Sequence, residues 1–166
     1  MGSMFDCVRI APKGLRRRMT GTEAVEGAAV LHASAVAFGA RGLLILGRSG
    51  AGKSALALAL IGRGAALVAD DRVRVVRRGQ ALVAQAPERI AGLIEARGLG
   101  LLRRPAQEEA VLVAAVDLDR TPSARMPQPV TIPCLGLSLE LISGQAFPNL
   151  DLVLSFFVQN GHAFPD

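Results

Sequence analysis

The sequence contains no tryptophan and no tyrosine, and only six phenylalanines among its 166 residues. Proteins that bind single-stranded nucleic acid stack the bases on aromatic side chains, so this composition argues against a nucleic-acid-binding protein. The formal net charge is nevertheless +5. The positive charge therefore favours a smaller anionic partner, such as a nucleotide, or an acidic patch on another protein.

Cysteine and histidine are also scarce, with two residues of each. Cys7 and Cys134 do not have the spacing of metal ligands and follow no export signal. We therefore expect free thiols and a reducing, cytoplasmic compartment. The scatter of the cysteines and histidines likewise argues against a structural zinc site.

Long hydrophobic runs are absent, and no segment approaches the roughly 20 apolar residues that cross a bilayer. The basic N-terminus precedes no apolar block, so we predict neither membrane insertion nor a signal peptide. We expect residues 1–3 to be an artificial remnant before a natural start at Met4, and residues 1–20 to form a basic N-terminal arm. Residues 21–166 are long enough for one domain with a substantial core.

Strand and helix patterns alternate along the chain, which predicts an α/β fold with a mixed sheet and flanking helices. The predicted strands are residues 30–38, 43–46, 66–69, 111–118 and 130–133, with a hairpin formed by 72–76 and 81–84. The predicted helices are residues 53–63 and 150–160, with a short helix or turn at 87–93 and a proline-rich loop at 121–129.

A glycine-rich octapeptide lies between the predicted strand 43–46 and the predicted helix that follows it. It matches G-x-x-x-x-G-K-[ST] at every fixed position, which indicates a phosphate-binding loop rather than an ordinary glycine-rich turn. In such a loop the backbone amides surround phosphate oxygens, the lysine reaches the β- and γ-phosphates, and the hydroxyl binds Mg²⁺. The nucleotide-binding residues are Gly47, Arg48, Ser49, Gly50, Ala51, Gly52, Lys53 and Ser54.

Two adjacent carboxylates, Asp70 and Asp71, end the predicted strand 66–69. Such strand ends meet at the ligand-binding edge of open α/β sheets. One carboxylate can serve the magnesium while the other serves as general base for a hydroxyl nucleophile. The alternative is a pair that caps the backbone amides of a turn.

Three further polar residues are ambiguous when each is considered alone. Glu95 stands between apolar residues and before two glycines, so it is either a magnesium ligand or a solvated side chain. His32 is either structural or part of the site, and Arg125 has the chemistry of an arginine finger. No Asn-Lys-x-Asp motif is present, which disfavours a GTPase. The remaining classes are a small kinase and a nucleotide-gated regulatory module.

Taken together, these motifs resemble the C-terminal catalytic domain of HPr kinase/phosphorylase, a bacterial kinase of a seryl hydroxyl on the phosphocarrier HPr. His32 precedes Gly47 by the family's fifteen residues. Residues 63–71 match the family's Arg-Gly-x-x-Leu-(Val/Ile)-Ala-Asp-Asp, and residues 95–100 match its Glu-x-Arg-Gly-Leu-Gly. The chain resembles the short α-proteobacterial form that lacks the family's N-terminal domain.

The resemblance implies ATP and Mg²⁺ as cofactors, a P-loop core related to phosphoenolpyruvate carboxykinase, and a homohexamer. It implies that Asp71 is the base for the seryl hydroxyl and that Ser54 and Glu95 are magnesium ligands. It also places His32, Lys53 and Arg125 in the active site. Asp70, beside these residues, is our remaining candidate for the metal site.

The chain departs from the family pattern after residue 101 and at residues 133–138, where the family's Gly-Arg-Asn loop is missing. This departure argues against the reverse, phosphorylase activity. The leading hypothesis is an ATP- and Mg²⁺-dependent protein-serine kinase acting on HPr or a related phosphotransferase-system carrier. The alternative is an ATP-binding regulatory module that controls a signalling partner such as a sensor kinase. A small-molecule kinase is a third reading, and the sequence shows no strong lid signature for it.

Overall fold

The computed structural model describes residues 25–162, with side chains from Gly27 onward. The basic arm predicted for residues 1–20 and Cys7 lie outside the described residues. The strands are β1 Val25–Leu31, β2 Ser34–Phe38, β3 Arg41–Leu46, β4 Ala66–Ala69, β5 Val73–Arg78, β6 Ala81–Gln85, β7 Leu93–Ala96, β8 Gly100–Arg103, β9 Glu109–Asp117, β10 Val130–Cys134 and β11 Leu137–Ser143. The helices are α1 Lys53–Gly62 and α2 Leu150–Asn160, with a 3₁₀ turn at Glu88–Ile90.

One mixed sheet of nine strands forms the body of the fold, in the order β1-β5-β6-β9-β3-β2-β4, with β11 paired to β9 and β10 paired to β11. Strand β9 is central because β3 pairs with it in parallel along one edge. Along its other edge, β6 pairs with residues 109–111 and β11 pairs with residues 114–117. The sheet therefore divides at the middle of β9, and the carboxyl ends of β3, β9 and β11 lie together.

Both faces of this sheet are buried, as the apolar composition of its strands predicts. Successive side chains of a strand point to opposite faces, so Leu44 belongs to one core cluster while Leu43 and Ile45 belong to the other. The second cluster includes α1 and α2, which contribute Leu60 and Leu154. The predicted α/β fold with flanking helices is confirmed, and no helix among residues 25–162 is long and apolar enough to cross a bilayer.

The predicted strand 30–38 is wrong as one element, because the chain breaks between β1 and β2 at residues 32–33. Strand β1 pairs with β5, whereas β2 pairs with β3 and β4. The break places His32 on a corner of the sheet, where its side chain is exposed. The hairpin formed by β7 and β8 and the strand β11 were also missing from the sequence prediction.

Outside the glycine-rich loop, two side chains, Glu109 and Cys134, have pKa values that their surroundings shift. Arg78 donates hydrogen bonds of 2.7 and 2.8 Å to the two oxygens of Glu109, and Gln85 donates a third. The hydrogen bonds from Arg78 and Gln85 hold the pKa of Glu109 below its ordinary range. Cys134 is free and buried, and burial raises the pKa of its thiol. The prediction of a free thiol is thus confirmed for Cys134.

Candidate active site

The glycine-rich loop connects β3 to α1, as the motif predicts. A Cβ added at Gly47 would lie 2.9 Å from the Cβ of Ala51 and 3.3 Å from that of Leu118, so this position requires glycine. Gly52 precedes α1 in the left-handed conformation, and no acidic residue occupies the first turn of the helix. The positive end of α1 is therefore available to an anion, which is how helix N-termini bind phosphate.

Lys53 is the first residue of α1 and is only 7% exposed. Its Nζ donates hydrogen bonds to the backbone oxygens of Gly47 and Arg48, at 2.9 and 3.0 Å. These partners are neutral carbonyls of the loop itself, and no ion pair to Lys53 occurs within residues 27–162. A buried ammonium of this kind is better compensated when an anion occupies the loop. The environment of Lys53 thus supports a phosphate ligand.

Asp70 is buried at the end of β4 and accepts hydrogen bonds from three other elements. Ser34 Oγ donates to Oδ1 at 2.5 Å, and Ser54 Oγ lies 2.9 Å from both carboxylate oxygens. The backbone N–H of Glu95 donates to Oδ2 at 3.0 Å. Because Ser54 donates its proton to Asp70, the lone pairs of the hydroxyl stay available to a cation. Asp70 therefore orients Ser54 and connects β2, α1 and β7 behind the loop.

Asp71 has the opposite environment, although it is the next residue. Its side chain is 68% exposed and its φ is +66°, in the left-handed region that few residues other than glycine adopt. His32 Nδ1 lies 3.1 Å from the backbone oxygen of Asp71 and 3.3 Å from its Oδ1. The turn thus separates the two carboxylates, one within the protein and one facing solvent beside a histidine.

A cleft of about 470 Å³ brings most of the predicted site residues together. Asp71 and His32 lie in the same cleft as Lys53, Ser54 and Glu95. The complete lining is His32, Ser34, Ser49, Gly50, Gly52, Lys53, Ser54, Ala55, Leu58, Asp71, Glu95, Ala96 and Arg97. The cleft therefore has the glycine-rich loop and an exposed carboxylate facing one volume.

The structure does not place Arg125 in this cleft. Arg125 lines a second cavity of about 170 Å³, formed largely by residues 120–130 and sharing no lining residue with the first. Gly47, Arg48, Ala51 and Asp70 do not line the cleft either. The role predicted for Arg125 remains a hypothesis, without a contact in this structure to support it.

The donors in the cleft suit magnesium better than a metal held entirely by protein. No group of three or more His, Cys, Asp or Glu side chains that could hold a metal occurs in the described part of the chain. Ser54 and Glu95 offer a hydroxyl and a carboxylate on the same cleft. Mg²⁺ commonly takes one or two protein oxygens and completes its shell with phosphate and water. The residues present therefore fit Mg²⁺ bound together with a nucleotide.

Asp119 contacts the glycine-rich loop, and sequence reasoning did not identify it. The backbone N–H of Arg48 donates to Asp119 Oδ2 at 2.5 Å, and Arg48 Nε lies 3.8 Å from Oδ1. The N–H of Asp119 in turn donates to the buried Asp117 at 2.9 Å. Asp117 ends β9 and Asp119 follows it, and acidic residues at that strand end were the available signal. Asp119 fixes the first part of the loop to the sheet.

Asp119→Ala is expected to weaken nucleotide binding about tenfold or more, because a hydrogen bond to a charged group contributes roughly 1.5–3 kcal/mol. Isothermal titration calorimetry with ATP and Mg²⁺ measures the effect. Asp119→Asn retains an acceptor oxygen and is the control, with a smaller loss expected. Equal affinities for wild type and Asp119→Ala would show that the loop keeps its shape without this carboxylate.

Comparison with known proteins agrees with these motifs. Residues 24–105 match the model of the HPr serine kinase C-terminal domain. The fold is similar to the structure of the Hpr(Ser) kinase/phosphatase from Coxiella burnetii, with a TM-score of 0.69 and 27% sequence identity over 79% of this chain and 88% of that one. No curated protein has a significantly similar sequence.

The matched segment contains the elements that build the cleft. It includes His32, the glycine-rich loop, both aspartates at the end of β4, and Glu95, whereas Arg125 lies beyond it. The structural match extends the agreement to most of the chain. The resemblance inferred from the motifs is confirmed, because residues 24–105 match the HPr serine kinase C-terminal domain and the structural match covers most of the chain.

Proposed function

We propose that the protein is an ATP- and Mg²⁺-dependent serine kinase that transfers the γ-phosphate of ATP to a seryl hydroxyl of HPr or a related carrier. The observation that carries the proposal is the cleft itself. It places the glycine-rich loop and Lys53 in the same volume as the exposed carboxylate of Asp71. Phosphoryl transfer needs both parts, because the phosphates must be held while a base accepts the proton of the nucleophile.

Each residue then has a separate task in the reaction. The amides at the start of α1 and the ammonium of Lys53 hold the phosphates. Ser54 and Glu95 would hold the Mg²⁺, which when bound neutralises charge on the phosphate oxygens. The seryl oxygen forms a bond to the γ-phosphorus as the bond to ADP breaks, and the seryl proton passes to Asp71. His32 holds Asp71 in position through its contacts with the backbone and carboxylate oxygens.

The exposure of Asp71 favours a protein over a small molecule as phosphoacceptor. A small-molecule kinase has to exclude water from the transferred phosphate, and it usually does so by enclosing the substrate. Here 68% of the Asp71 side chain and 54% of the His32 side chain are exposed to solvent. A protein that presents a serine on its surface covers this end of the cleft when it docks.

The test is transfer of labelled γ-phosphate from ATP to purified HPr encoded by the same genome, with Mg²⁺ present. We expect label on a serine of HPr, and none when Mg²⁺ is removed with EDTA. An HPr variant with the acceptor serine replaced by alanine controls for specificity, and Lys53→Ala controls for contaminating kinases. Tight ATP binding without label on the carrier would contradict the proposal.

An ATP-binding regulatory module is the second candidate, and the same exposure of the cleft is compatible with it. A module of this kind would associate with a signalling partner, such as a sensor kinase, in a nucleotide-dependent manner. Its association would not depend on the Asp71 carboxylate, whereas transfer would. Copurification with and without ATP, using wild type and Asp71→Asn, separates the two functions.

A further inference from the structure

A separate two-stranded hairpin, formed by β7 and β8, stands beside the cleft. Strand β7 faces the core, where Ile94 is fully buried and Ala96 is 7% exposed. The other strand and the tip are exposed, with Leu99 at 82%, Leu101 at 69% and Leu102 at 36%. Leu101 pairs with Glu95 and shares its outer face, whereas Leu102 pairs with the buried Ile94 and shares the face toward the core. Leu99 at the tip and Leu101 therefore form an exposed apolar patch on the outer side, and such patches commonly mark interaction sites.

Positive charge borders this patch. Arg97 lies at the tip of the hairpin, and Arg103 and Arg104 lie at the end of β8. Their guanidinium groups have no anionic partner among residues 27–162. Glu95 is the only acidic residue of the segment 93–104, and it faces the cleft. Apart from Glu95, the outer face of the hairpin is therefore apolar and basic.

The hairpin lies beside the part of the cleft that a phosphoacceptor would have to reach. Glu95, Ala96 and Arg97 line the same cleft as Asp71. The backbone N–H of Glu95 also donates to Asp70, which fixes β7 to the end of β4. A protein that brings a serine to Asp71 has to pass close to this face.

We propose that the docking face, formed by Leu99, Leu101, Arg97, Arg103 and Arg104, binds the protein phosphoacceptor through an apolar spot bordered by acidic side chains. This inference rests on the proposed kinase function. Charge complementarity selects an acidic protein over a second copy of this chain, whose net charge is +5. The segment 93–104 contains no aromatic residue on which a nucleic-acid base could stack.

The test compares wild type with Leu99→Ser/Leu101→Ser and Arg103→Glu/Arg104→Glu in steady-state transfer to HPr. Each double variant is expected to raise the KM for the carrier at least tenfold, with kcat and the Kd for ATP unchanged. Phe156→Ser removes a residue of α2 that is 60% exposed and is the matched control, with all parameters expected at wild-type values. Added salt should weaken carrier binding by wild type more than by the Arg103→Glu/Arg104→Glu variant.

Direct binding of HPr in the presence of a non-hydrolysable ATP analogue separates failure of docking from failure of catalysis. Transfer by wild type with an unchanged KM in both variants would refute the docking face and leave the kinase function intact. Wild-type HPr binding that both variants lose would support the docking face even if no phosphate is transferred. Absence of HPr binding by wild type would refute it.

Two further measurements identify a different occupant of the same face. If Leu99→Ser/Leu101→Ser changes the molar mass in light scattering while HPr binding is unchanged, the face contacts a second copy. If the variant instead loses sedimentation with phosphatidylserine vesicles, again with HPr binding unchanged, the face binds a membrane surface. Either result would overturn the proposal.

Discussion

Asp71→Asn is expected to lower the rate of phosphate transfer to the carrier by about 10²- to 10⁴-fold, which is the usual effect of losing a positioned general base. ATP affinity should hardly change, because the Asp71 side chain contacts His32 and not the glycine-rich loop. Asparagine has the same shape and tolerates the left-handed φ of +66° at this position. Single-turnover transfer of labelled phosphate measures the rate, and calorimetry measures ATP binding.

The control for this experiment is Asp71→Ala, which also removes the carboxylate but is less compatible with the left-handed backbone. We expect it to lose transfer as Asp71→Asn does and to unfold at a lower urea concentration. Transfer by Asp71→Asn at the wild-type rate would assign the seryl proton to another acceptor. A loss of ATP binding in parallel with transfer would mean that Asp71 shapes the nucleotide site.

Asp70→Ala is expected to lower the free energy of unfolding by about 2–5 kcal/mol. The substitution leaves Ser34 Oγ and the N–H of Glu95 without their acceptor, and an unsatisfied buried polar group costs about 1–3 kcal/mol. Transfer should also fail, because Ser54 loses the group that orients its hydroxyl. Urea unfolding followed by circular dichroism measures the stability change.

Ser34→Ala is the matched control, since it removes one donor but leaves Asp70 bonded to Ser54 and Glu95. It should cost about 1 kcal/mol, the usual net contribution of one hydrogen bond. Both substitutions act on the same cluster of hydrogen bonds, so the difference between them isolates the contribution of the carboxylate. If Asp70→Ala unfolds at the wild-type midpoint, the hydrogen bonds to Asp70 contribute little to stability.

The parts of the site that were predictable from sequence are those with a local pattern. The glycine-rich loop is specified by its own eight residues, and the strand and helix around it follow from apolar runs next to glycine. The pair Asp70 and Asp71 was predictable because the two carboxylates directly follow an apolar run. Which of the two is buried was not evident from their sequence position, because it depends on donors supplied by Ser34 and Glu95 from distant strands.

The parts that were not predictable depend on long-range pairing. Residues 30–38 are apolar enough for one strand, and only the pairing of β1 with β5 shows that the chain turns at His32. The contact between Arg48 and Asp119 joins residues 71 positions apart, which a local pattern cannot reveal. The hairpin of β7 and β8 escaped prediction because its exposed leucines do not alternate with polar residues as strands usually do.

The hydrogen bond between the Glu95 amide and Asp70 joins the hairpin to the carboxylate that orients Ser54. A cation that binds Ser54 therefore acts on a group to which the hairpin is also attached. Linkage requires such an effect to be equal in both directions. If bound Mg²⁺ and nucleotide increase the affinity for the carrier by some factor, then the bound carrier increases the affinity for Mg²⁺ and nucleotide by the same factor.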